Sequence, residues 1–128
     1  MILAKSLDVF NGKYDFIDSI VTGLNWDANL LDFLVTIDYF WNAQEDAHDL
    51  VIRFVNCREV AITMPKAFDN IPNAELQSYI HSWHTITNCS VTEESGFFKA
   101  CIKTVDDDPR WLVVTCNDIW LEQKAEIF

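Results

Sequence analysis

Apolar and polar side chains alternate with a period of two along several stretches of this chain, most clearly from Leu30 to Trp41. Leu31, Phe33, Val35, Ile37, Tyr39 and Trp41 share one parity, and Asp32, Thr36 and Asp38 take the other. Successive residues of a strand point to opposite faces, so the segment predicts a strand with an apolar inner face and an acidic, solvent-facing outer one. Tyr14 to Asn25 predicts a preceding strand closed by Gly23. The turn-like Asn25–Asn29 joins the two as a β-hairpin, and Asn42 to Asp49 reads as a polar loop.

Further along, Leu50, Ile52 and Phe54 mark one face of a strand running to Thr63. An irregularity is expected near Asn56-Cys57-Arg58, as a β-bulge or tight turn. Met64 to Asn73 carries two prolines and reads as a loop. Asn73 is placed to cap a short helix through Leu76, Tyr79, Ile80 and Trp83, whose spacing is helical. Thr85 to Glu94 and Phe97 to Val105 predict two strands around a Ser95-Gly96 turn. Asp106-Asp107-Asp108-Pro109 is a strong turn signal. Trp111 to Gln123 predicts the last strand, broken near Cys116-Asn117. The break echoes the earlier one: Phe54-x-x-Cys57-x-x-Val60-x-Ile62 resembles Val113-x-x-Cys116-x-x-Ile119-x-Leu121. Coincidence is the favoured reading, since short β-patterns recur easily. The sharper reading is two strands that both turn a corner at Cys, passing from one sheet to another. The fold class that follows is mainly β. An antiparallel sheet of about six strands folds into a sandwich or open barrel, with at most one or two short helices. Residues 1–128 read as a single domain, long enough to bury a core without metals or disulfides.

Charge narrows the function. Twenty acidic and nine basic residues give a formal net charge of -11, while half the chain is hydrophobic. This is a folded acidic domain and not an acidic tail. Its bases are scattered singly, so no stripe is available to neutralise phosphates and nucleic acid is not an expected partner. No segment approaches the ~20 apolar residues of a membrane span. Lys5 and Asp8 interrupt the opening before a leader-like apolar run forms, which gives the expectation of a cytoplasmic protein. In that setting Cys57, Cys89, Cys101 and Cys116 are expected as free thiols without metal, and no C-x-x-C pair occurs.

Candidate chemistry is sparse. His48, with Glu45, Asp46 and Asp49 beside it, has ligand-type groups, but adjacent residues rarely converge on one ion, so a solvated loop is favoured. His81 and His84 share one side of a helix but would need a third ligand from elsewhere. The Asp106–Asp108 run lacks the alternating ligands and glycine of a calcium loop. No nucleophile elbow or glycine-rich phosphate loop is present. No cofactor is expected.

The order of Tyr14-Asp15-x-x-Asp18-x-Ile20, the alternating strand after it, Leu50-Val51-Ile52-Arg53-Phe54-Val55-Asn56-Cys57-x-x-Val60 and the ending Thr115-Cys116-x-x-Ile119-x-Leu121-Glu122 resembles that of small bacterial all-β proteins. Several of these groups are assigned as immunity proteins of polymorphic-toxin systems, and others have no assigned function. The resemblance covers about half the chain and implies a non-enzymatic binding protein with no catalytic residues to carry over. The leading expectation is therefore an acidic protein that binds a basic partner, in the manner of an immunity protein neutralising a toxin. Asp32, Asp38, Glu45, Asp46 and Asp49 are the candidate contacts, with Phe40 and Trp41 as aromatic anchors. Competing expectations are a small metal- or ligand-dependent enzyme with a pocket in the β fold, using His48, His81 or His84, and a structural module that self-associates, for instance as a homodimer.

Overall fold

Among the described residues, seven strands of a single antiparallel sheet carry nearly all the structure. The structure, a computed structural model, describes residues 2–11, 14–39, 49–63, 85–104 and 112–123. In chain order these are β1 (Ile2–Lys5), a one-turn helix α1 (Asp8–Asn11), β2 (Ile20–Trp26), β3 (Phe33–Asp38), β4 (Asp49–Ile62), β5 (Ile86–Glu94), β6 (Phe97–Thr104) and β7 (Leu112–Gln123). The sheet order is β2-β3-β4-β7-β6-β5, with β1 also paired to β7. All pairings are antiparallel. β7 is shared: β6 takes its first half and β1 its last residues, while β4 runs along its whole other side.

The alternation of β3 does what its pattern predicts. Phe33, Val35 and Ile37 are buried and lie opposite Phe54, Ile52 and Leu50 of β4. Each such side chain taken out of water contributes about 1.5–3 kcal/mol, which is what fixes the register. Ile102, Leu112, Val114, Cys116, Ile119 and Leu121 continue the same core across β6 and β7.

The sheet curls around this core and is not closed into a barrel. Its two edge strands meet only at one end, where Ile20 bridges Thr85. There Asp18 N donates to Ile86 O (2.9 Å) and Ile86 N to Ser19 O (2.8 Å). Val9 of α1 and Phe16 plug the core, and α1 packs on β1, β5 and β7. Edge-to-face contacts link Phe10 to Phe16 and Phe16 to Tyr39.

The paired cysteines explain the sequence echo. Phe54 lies opposite Ile119, Cys57 opposite Cys116, and Val60 opposite Val114. Two strands can step three residues between inward side chains only if their partners make the same step or a bulge absorbs it. Both occur. Phe54 to Cys57 faces Cys116 to Ile119, and the shift between Cys57 and Glu59 absorbs the second step on β4. Asn56, at φ 52°, supplies the backbone bend. The corner is thus real, but both strands turn it within one sheet instead of passing between two.

Several boundaries differ from expectation, among them the start of β3, which is at Phe33 and not at Leu30. β2 starts at Ile20, and 14–19 is irregular, because Asp18 takes a φ of 71° that no strand continues through. β2 also runs through Gly23 instead of closing there, with only a register shift between Val21 and Gly23. β1 was not anticipated. The helix expected over Asn73–Trp83 and the Asp106–Asp108 turn lie outside the described residues. No described helix is long and apolar enough to cross a membrane.

Candidate functional site

The residue Asp32 illustrates how parity can mislead. It was expected to face solvent, yet it is 7% exposed. It precedes β3, in the turn at residues 27–32, where the chain folds back over the outer face of β4. Its Oδ2 accepts from Arg53 Nη1 at 3.1 Å, and its Oδ1 from the Asn56 amide at 3.0 Å. Arg53 lies on β4 between the inward-facing Ile52 and Phe54, so it points outward. There it also binds Asp27 (2.5 Å) and, through Nε, Glu122 of β7 (2.6 Å). The Asp32 carboxylate is consumed by this cluster and is not available to a partner.

The cluster locks the turn. Burial works against the Arg53 charge, but hydrogen bonds to Asp27, Glu122 and Asp32 outweigh it and raise its pKa above the ordinary value. The guanidinium beside Asp27 in turn holds that carboxyl below the usual carboxylate range, helped by the Ala28 amide. Asn29 Oδ1 accepts from the amides of Leu31 (2.9 Å) and Asp32 (3.1 Å). Asp27 N donates to Asp32 O, Leu30 N to Asp27 O, and Cys57 N to Leu31 O, all within 2.9 Å. The side chains this frame displays are apolar: Leu30 and Leu31 are 72% and 53% exposed, while Trp26 before them packs edge-to-face on Phe33 at 5.2 Å. Leu30 sits at φ 58°, a left-handed conformation costing a residue with a Cβ about 1–2 kcal/mol.

At the other end of the β2–β3 hairpin the sheet is acidic. Asp38 ends β3, with Ile20 of β2 as one cross-strand partner and Asp49 of β4 as the other. Asp18 lies two residues before Ile20. Asp15 is anchored by its amide, which donates to Tyr39 Oη (3.1 Å). Asp15, Asp18 and Asp38 are exposed. Every ion pair among the described residues belongs to Arg53, so none among them neutralises Asp15, Asp18 or Asp38. The register sets the expected Asp38 and Asp49 opposite each other, and Asp15 and Asp18, which the sequence showed only within the Tyr14-Asp15-x-x-Asp18-x-Ile20 motif, lie at the same end. Phe40, Trp41, Glu45, Asp46 and His48, in the segment joining β3 to β4, lie outside the described residues, as do His81 and His84.

The outer face of β5 and β6 has opposite character. Lys99, Cys101 and Lys103 share one parity of β6, and with Ser90, Thr92 and Glu94 of β5 they line a shallow depression of about 350 Å³. Arg58 lies nearby over the Phe97 ring, 4.9 Å from its centre.

All four cysteines are free. Burial pushes the Cys89 and Cys116 thiols up to about 12 and raises that of Cys57, which keeps them protonated and unreactive at neutral pH. Among the described residues no group of three or more His, Cys, Asp or Glu is placed to hold a metal. Compared with known proteins, the chain matches no family model and no curated sequence.

Proposed function

We propose that this chain is a non-enzymatic binding protein that engages a basic protein through the acidic end of its sheet, in the manner of an immunity protein neutralising a toxin. One observation carries the reading: the exposed Asp15, Asp18 and Asp38 gather at one end of the sheet, with no ion pair to any of the three among the described residues. Like charges gathered on neighbouring strands repel one another and cost stability, up to about 1 kcal/mol a pair. A chain that needed only solubility could spread its acids more cheaply. Gathered at one end, they focus a negative field that steers a basic partner and occludes its basic site.

The test is a titration against the purified product of the gene adjoining its own. Asp15→Asn, Asp18→Asn and Asp38→Asn are combined in one chain, with the wild type as reference. The combined variant is expected to fold, because all three side chains are exposed, and to bind on the order of tenfold more weakly at low salt. Equal affinity of the two chains would remove the electrostatic reading.

A further inference from the structure

We propose that the 27–32 turn is a preformed docking knob, which inserts Leu30 and Leu31 into an apolar pocket with a basic rim on the partner protein. The proposal rests on the basic-partner reading above and adds a second contact at the opposite end of the β2–β3 hairpin.

Two independent observations support it. The first is strain without an internal return. Leu30 holds a left-handed backbone, where glycine or asparagine sits at little cost, yet its side chain is 72% exposed and so adds little to this chain's own core. The second is rigidity. The turn is held by Arg53 on both Asp27 and Asp32, by the Asn29 side chain on two amides, and by the Asn56 and Cys57 amides of the β4 corner. Exposed apolar side chains on a backbone that is already ordered lose little entropy on docking, which is how anchor residues work.

The choice of occupant follows from charge. A second copy of this chain would bring another -11 against the first. The flanking carboxylates of Asp27 and Glu122 outnumber the guanidinium they share with Asp32, so basic groups are favoured around the pocket rim.

The test measures binding kinetics on the immobilised product of the adjoining gene, using the full chain. Leu30→Gly combined with Leu31→Ser should melt within about 3 °C of wild type, because both side chains are exposed. It should bind on the order of thirtyfold more weakly, through faster dissociation that changes little with salt. Leu31→Ser alone should show the same direction, and serves if the double variant folds poorly. Wild-type dissociation from both variants would overturn the knob while leaving the acidic end intact, since the Asp15/Asp18/Asp38 variant would still associate slowly. Failure of the wild-type chain to bind at all would overturn both. A wild-type dimer in sedimentation that Leu31→Ser dissociates would assign the tip to self-association and overturn the proposal.

Discussion

Arg53 answers to three carboxylates that lie 26, 21 and 69 residues away from it in the chain. It is 19% exposed, so removing it leaves a half-sheltered group of like charges with nothing to balance them. Arg53→Ala is therefore expected to cost about 2–4 kcal/mol in urea unfolding, a loss of a kind surface substitutions do not produce. Asp27 and Asp118 both have depressed carboxyl pKa values. Burial works against the Asp118 charge, but donors from Trp120, Ile119 and Ser6 overcome it. A depressed folded-state pKa contributes stability that is present above the unfolded value of 3.8 and is lost as pH falls through the lower folded values. Stability against urea should accordingly be flat in this contribution near neutrality and decline below about pH 4, with a shallower decline in Asp27→Asn. The thiols give a third expectation. Cys89 and Cys116, near 12, should react with a thiol reagent only when the chain unfolds.

At the scale of elements, β4 and β7 hold the molecule together. Phe54 is fully buried between Phe33 of β3 and Ile119 of β7, so Phe54→Ala should cost about 3–5 kcal/mol, read as a shift of the urea midpoint without a change of slope. This part of the fold was legible in the sequence. The β3 alternation, the irregularity at Asn56-Cys57-Arg58, the Ser95-Gly96 turn and the Cys57/Cys116 echo all carry periodic or turn signals that survive folding. β1 was not, because Ile2-Leu3-Ala4-Lys5 is too short to show a period and is a strand only by pairing with β7. The Arg53 cluster was not legible either. Charges far apart in sequence leave no periodic trace, and the parity that placed Asp32 on the outer face could not show that its own turn would seal it there. The apolar tip escaped for the same reason: Leu31 was counted among the inward residues of a strand that begins only at Phe33.

Across the whole molecule two surfaces are separated, with exposed carboxylates at one end of the β2–β3 hairpin and the apolar, hydrogen-bonded turn at the other. The most direct test of the acidic end is the association rate with the adjoining gene's product, followed by stopped flow across ionic strength. The wild-type rate is expected to fall steeply as salt rises, while dissociation changes little. Asp15→Asn, Asp18→Asn and Asp38→Asn together should lower the rate at low salt and flatten its salt dependence, while the unfolding midpoint rises slightly as the repulsion among them is relieved. A wild-type association rate indifferent to both salt and the triple substitution would contradict the account.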